Sequence, residues 1–300
     1  LASAAITVAV QLSGFAVAFA LQTEKFYDVV GGLNYLCVVA ISTLFQPVGQ
    51  YWSDDRRKIA VTIVFLCSRA WLLGFLAWRA HERQGDARFD GVKERFGQFL
   101  LFWVVQGVWV MLISLPVLFV NAAGSPRIGT LPPVCVSDTI WLTGFAMGVL
   151  IEAVADIQKA SWVRSGRAGG FCQHGLWKFS RHPNYFGEML QWWCAWAFAY
   201  SVSTGVMDMG WWSSICSPLF TMHVLLNLPE TGVAQANGKS LKRYYDRWPK
   251  TYAEYRQNTS ILIPMIGYAY VPLLLKRSIF LDFERYEYQP HHPGHQKHRD

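Results

Sequence analysis

Charge is scarce in this chain. Only 16% of its 300 residues are Asp, Glu, Lys or Arg, while 52% are hydrophobic, a balance that excludes an ordinary water-soluble globule. Paired cysteines are lacking as well. Cys37, Cys67, Cys135, Cys172, Cys194 and Cys216 form no CxxC and no matched spacing, which argues against a disulfide scaffold or a zinc site. At least four of them fall in apolar stretches, where cysteine behaves as a small hydrophobe. No GxGxxG is present, so a Rossmann domain is not expected. There is no internal repeat. No signal peptide stands apart from the first apolar block, which reads equally well as a span. Acidic residues are the rarer sign, 20 against 27 basic, for a net charge of +7. In a membrane protein that excess mostly sets topology, and nucleic acid is not an expected partner.

What the chain has instead is long apolar runs. Seven blocks stand out, at about 1–21, 28–48, 59–79, 98–120, 138–158, 184–204 and 211–228. A span needs about 20 residues, so the last is slightly short and the others fit. The expected fold is therefore all-α, a polytopic membrane helix bundle of about seven spans. Ile261 to Leu275 is apolar but broken by Pro264 and Pro272, and reads as a C-terminal interfacial segment. Residues 1–288 are expected to form one membrane-embedded domain. The segment 289–300 is expected to be a disordered, His-rich tail whose four histidines are not expected to form a metal site.

Basic residues set the orientation. With the N-terminus on side A, its loops hold Arg56, Arg57, Lys58 and Arg127, whereas side B receives twenty-two cations, eleven of them after Glu230. Side B then faces the cytosol, or the matrix or stroma of an organelle. The protein is expected to be a multi-pass integral membrane protein, with the endoplasmic reticulum and an organelle such as the mitochondrion both open. Three long polar segments, 80–97, 159–183 and 229–260, share side B, where a soluble cofactor would be met.

The stretch Gly175 to Trp196, GLWKFSRHPNYFGEMLQWWCAW, organises the site. Pro183 suits the first turn of a helix and cannot continue one, so a helix is predicted to start at Pro183–Asn184. Such a start attracts anions. Arg181, His182, Asn184, Tyr185 and Glu188 crowd this entry, with Glu188 one turn beyond Asn184 on the same face. Ordinary interfacial residues would account for one Arg or His; five polar groups within eight residues point to a site. Glu152 and Asp156 lie one turn apart near the side B end of the fifth block, followed by Lys159. Ionised groups at that depth usually face a partner, the bundle interior or a wet cavity. Arg69, in the middle of the third block, reads equally as half of a structural ion pair.

The runs Glu152-Ala-Val-Ala-Asp156-Ile-Gln-Lys159 and Gly175-Leu-Trp-Lys-Phe-Ser-Arg-His-Pro-Asn-Tyr-Phe-Gly-Glu188 resemble the DUF1295 family of membrane proteins. That family is related to the steroid 5-alpha-reductase C-terminal domain and, more distantly, to sterol reductases and isoprenylcysteine methyltransferases. Lys25-Phe-Tyr-Asp28, Arg88-Phe-Asp90, Trp109 to Asn121, and Tyr252-Ala-Glu-Tyr255 through Ile263-Pro264 also look like family landmarks. The resemblance runs from roughly residue 25 to 288. It implies NADPH as cofactor, with Asn184 and Glu188 at the nicotinamide end, Asp156 and Glu152 on its polar groups, and Tyr255 closing the pocket. Tyr185 belongs to the same motif and Lys159 to the neighbouring one. A phosphate role for Arg181 and His182 is inferred from charge. No catalytic residue is assigned; Tyr27, Asp28 and Tyr35 are open as acids or as interfacial anchors.

The expected function is a membrane-embedded, NADPH-dependent reductase acting on a C=C bond of a lipid-soluble substrate, such as a steroid- or sterol-like enone. Membrane lipids and that substrate are the expected partners. Two other classes stay open. One is methyl transfer from S-adenosylmethionine to a lipidated substrate, since the methyltransferases carry a related Arg-His-Pro-x-Tyr turn. The other is a non-catalytic accessory subunit of a larger membrane complex that keeps the reductase fold.

Overall fold

The structure, a computed structural model, describes residues 1–46, 51–83, 89–122, 134–228, 232–235 and 241–286. The expected tail at 289–300 lies outside them. The described residues are helical and contain no strand, only one isolated bridge between Ser180 and Ser260. Among the described residues five helices are long and apolar enough to cross a membrane: α1 (Ala2–Ala20), α2 (Tyr27–Leu44), α3 (Arg56–Arg83), α4 (Phe96–Ala122) and α5 (Val136–Arg164). That is the make-up of a multi-pass integral membrane protein. In α3 the apolar window ends at Arg79. α6 (Pro183–Ala199) follows and begins at the proline, as its fixed φ and missing N–H favour.

The seventh block is not one helix. It divides into α7 (Met209–Ser213) and α8 (Cys216–Leu226). Asp208 caps α7, accepting from the Gly210 and Trp211 amides at 2.9 and 3.2 Å. The break at residues 214–215 falls where Pro218 would need the Ser214 carbonyl, to which it cannot donate and against which its ring would press. Short helices complete the chain: α9 (Gly232–Gln235), α10 (Leu241–Arg247), α11 (Pro249–Asn258) and α12 (Leu273–Ser278).

Two compact units emerge. The first comprises Leu1–Ala146 and Trp192–Phe220. Its core packs Phe15, Tyr27, Phe89, Phe99 and Trp103, with the Tyr27 and Trp103 rings edge to face at 5.1 Å. Gly14 admits Trp103, since a Cβ there would lie 2.3 Å from the indole. Asn121, at the end of one expected family landmark, ties three helices together by donating to Ser42 on α2 and Thr62 on α3 at 2.9 and 3.1 Å. Arg57 and Lys58, expected in a loop, are instead first-turn residues of α3 and are buried. Arg57 pairs with buried Asp138 of α5 at 2.7 Å, and Lys58 donates to Gln46 at 2.8 Å. Arg69 is held by aromatic faces, 4.8 Å from the Trp192 ring centroid and 5.4 Å from that of Tyr35, and donates to Ser68.

The second unit comprises Met147–Gln191 and Thr221 onward. One core joins Met189, Leu225, Leu226, Ile261 and Leu262 with Tyr286, whose hydroxyl donates to the Leu226 carbonyl at 2.6 Å. A second gathers Phe171, Leu241, Tyr244 and Tyr252.

Removing one member of a buried pair strands the other charge, at about 3–5 kcal/mol. Asp138→Ala is therefore expected to destabilise the protein by about that amount, and Arg57→Met/Asp138→Leu together by much less. Denaturant unfolding in detergent micelles reads both; equal losses would show that the pair itself is not what matters.

Candidate functional site

The site of the second unit is built where α5 and α6 come close enough for their backbones to touch. A Cβ on Gly148 would lie 2.7 Å from the Gly187 carbonyl oxygen, and one on Gly187 would lie 2.7 Å from both the Gly148 oxygen and the Glu152 nitrogen. Small residues permit such approach between helices in lipid. With the backbones this near, short side chains can bridge them.

Two bridges form. Asn184 Nδ2 donates to Asp156 at 3.2 Å, and Gln191 Nε2 donates to Glu152 at 2.6 Å. Gln191 also donates to the Gly187 carbonyl at 3.3 Å. The carboxylates are one turn apart on α5 and both are buried. Their partners lie two turns apart on α6, with partly buried Glu188 between them in sequence. Because Asp156 takes the Asn184 nitrogen, the amide is oriented with its oxygen left over. That oxygen, Oδ1, is buried and has no hydrogen-bond partner among the described residues. A buried acceptor without a donor costs about 1–3 kcal/mol, so a group that brings an N–H or O–H to it would be favoured there.

The turn before α6 is fixed from two directions. Gly175 has φ +58° and lies so close to Gln158 that a Cβ would meet the amide at 2.2 Å. Gln158 accepts the Leu176 N–H at 2.9 Å, and the Trp177 indole donates to the Ala155 carbonyl at 3.0 Å. From the other direction, the Arg181 N–H donates to the Ser260 carbonyl at 2.8 Å, and the Ser180 hydroxyl to that of Leu262 at 2.6 Å.

The remaining expected residues fall into three groups. Lys159 and Tyr255 meet at Trp177: the ammonium lies 4.3 Å from the indole ring centroid, and the Tyr255 hydroxyl donates to the Trp177 carbonyl at 2.6 Å. His182 and Tyr185 stack face to face, their centroids 5.1 Å apart. Arg181 is buried, ion-pairs with Asp282 and donates to the Thr259 carbonyl at 3.2 Å. His182 is surrounded by cations. Burial first, then the positive charges of Arg181, Lys159 and Arg256, push its pKa down to about 3. At neutral pH it is an uncharged imidazole, able to hydrogen-bond but not to add charge. Burial also raises the Tyr255 phenol well above its ordinary value.

Three of these partners were not singled out from sequence. Gln191 and Asp282 are polar residues inside or beside apolar stretches, the one available signal. Trp177 lies within the central motif, where nothing in the sequence sets it apart from the other aromatic residues. Of the open acid candidates in the other unit, Tyr27 donates to the Phe102 carbonyl at 2.8 Å, Asp28 lies 4.0 Å from Arg79, and Tyr35 flanks Arg69. Among the described residues no cluster of three His, Cys, Asp or Glu could hold a metal.

A family model described as "Protein of unknown function (DUF1295)" covers residues 14–259. No curated protein and no solved structure matches.

Two outcomes follow from this geometry. Gly→Ala inside a helix normally gains about 1 kcal/mol; Gly187→Ala should instead lose about 1–3 kcal/mol by overpacking, whereas Gly74→Ala, with open space around it, should not. Comparative thermal unfolding decides, and a stabilised Gly187→Ala protein would refute the backbone contact. For His182 the folded pKa is below the unfolded value of about 6.5, so the unfolded state binds more protons below that pH. Stability should fall as pH drops from about 6.5 toward 3, by up to about 1.4 kcal/mol per unit. His182→Gln should flatten the part of the curve between pH 6.5 and 5.

Proposed function

Because this chain belongs to the DUF1295 family, to which no activity is attached, we propose a function from its site: a membrane-embedded reductase that binds NADPH and reduces a C=C bond of a lipid-soluble, unsaturated substrate. The observation that carries the reading is the Asn184 amide, held by Asp156 with its buried oxygen unpartnered among the described residues. A carboxamide N–H of a nicotinamide is the kind of donor that acceptor lacks. The resemblance to steroid-reductase motifs implies the same residue for the nicotinamide end.

In this reading Asn184, Asp156, Glu152 and Glu188 hold and orient the cofactor, and the His182–Tyr185 stack offers it a flat, uncharged wall. Lys159 and Tyr255 act through Trp177 as positioning residues. Arg181, its guanidinium taken by Asp282, stands outside the set. When bound, NADPH supplies the hydride. The Glu152–Gln191 and Asp156–Asn184 bridges hold these side chains in place before the ligand arrives, with the Asn184 oxygen left for the incoming donor, so little reorganisation is needed on binding. The apolar helices give a lipid-soluble substrate its route. We also read α6 and the α7–α8 pair as two further spans, making seven, with the site at the cytosolic, matrix or stromal face, and the segment from Ile261 to Leu275 as interfacial.

Thermal shifts of the purified full chain with NADPH, NADH and S-adenosylmethionine test the reading. A ligand specific to the native state stabilises by about 2.7 kcal/mol at one hundred times Kd. NADPH is expected to shift the protein, and Asn184→Ala to weaken its binding by about 1–3 kcal/mol. A shift with S-adenosylmethionine alone would assign methyl transfer. No shift with any of the three would assign a non-catalytic subunit.

A further inference from the structure

A cavity of about 340 Å³ opens elsewhere in the second unit, bounded by α11, α12 and the segment between them. Among the described residues its lining is unbalanced in charge: Arg181, Arg256, Lys276 and Arg277 against the one carboxylate of Asp282. That carboxylate is already engaged by the Arg181 guanidinium and by the Tyr268 hydroxyl at 2.8 Å. The cations are positioned by the fold. Arg256 donates to the Tyr286 carbonyl at 3.2 Å and to the Tyr245 hydroxyl at 3.3 Å. Arg277 donates to the Asp282 carbonyl, and Lys276 lies 4.4 Å from the Tyr268 ring centroid. Burial and the Asp282 charge keep the Tyr268 phenol protonated.

The rim of this cavity is greasy and uncovered. Leu273 lines it, and Leu274 and Tyr270 beside it are 76% and 92% exposed, with Ile266 and Ile279 exposed as well. A charged pocket for a nucleotide or free phosphate would not call for an apolar lip. Clustered basic residues beside exposed apolar side chains, in a chain built of membrane helices, match a lipid whose head is anionic and whose tails are not. We infer that this cavity binds the phosphate headgroup of an anionic phospholipid, with its acyl chains running over Leu273, Leu274 and Ile279. The inference rests on the membrane placement of the chain and not on the NADPH reading, since only Arg181 was ever common to both and it is assigned here.

The full chain, reconstituted in nanodiscs of phosphatidylglycerol or of phosphatidylcholine and released for native mass spectrometry, tests it. Phosphatidylglycerol is expected to be retained and phosphatidylcholine not. Lys276→Gln should lower retention about fivefold, the effect of one cation near a lipid surface, and Lys276→Arg should restore it. Leu274→Gln should also lower it. Equal retention of both lipids, or no change in Lys276→Gln, would overturn the inference. So would displacement of the lipid by inorganic phosphate or by NADPH, which would give the cavity to a soluble anion. Lys276 lies outside the set proposed for NADPH, so its Gln variant should keep the NADPH thermal shift of the unaltered protein. If instead the shift were lost and lipid retention kept, the cavity would belong to the nucleotide and the lipid inference would fall. Absence of any NADPH shift in the unaltered protein defeats the reductase reading alone.

Discussion

The contact between Gly148 and Gly187 is the constraint on which the polar site depends. Lipid tails are as apolar as leucine, so helices in a membrane gain little from hiding apolar surface against each other. They gain from close packing, and here two missing side chains bring the backbones together. Only at that separation do an asparagine and a glutamine on α6 reach an aspartate and a glutamate on α5. Carboxylates at this depth are costly unless met by donors. The glycines thus decide whether Glu152 and Asp156 are tolerable at all.

Buried charge elsewhere is accommodated by different chemistry. Arg57 has a full ionic partner in Asp138, Arg69 has the faces of Tyr35 and Trp192, and Lys159 has those of Trp162 and Trp177. An ion pair restores charge balance directly, whereas a ring face offers a diffuse negative potential and leaves the cation's own sign in place. The two solutions therefore differ in what they leave behind: Arg57 is neutralised locally, while Lys159 still pushes on its neighbours, His182 among them.

Local features were legible in the sequence, and pairings were not. Helices α1 to α5 follow from run length and hydropathy, and α6 begins at Pro183 because a proline's stereochemistry needs no context. The division of the seventh block was not legible because an apolar run says nothing about continuity. Pro218 sits beside a break, yet Pro116 sits inside the unbroken α4, so a proline alone does not tell which. Arg57 and Lys58 read as loop charges because their partners, Asp138 and Gln46, lie 81 and 12 residues away. Of the site residues, the motif exposed Asp156 and Asn184 but not the orientation of the Asn184 amide. That depends on which atom Asp156 takes, a fact of three-dimensional pairing. Gln191 and Asp282 were hidden for the same reason.

The two serines that lace residues 178–181 to residues 259–265 have a consequence in time. Ser180 and Ser260 are both fully buried, and the hydrogen bonds around them close loops of about 80 residues. Contacts of such sequence separation form late, because the loop entropy must be met before they contribute. During synthesis the Ser-Arg-His-Pro turn leaves the ribosome well before the segment that fixes it. Until residues 259–265 arrive, α6 has its start signal but not its anchor, and Arg181 stands without Asp282. A chain stopped short of residue 259 would carry the whole central motif and still lack the clasp that sets it.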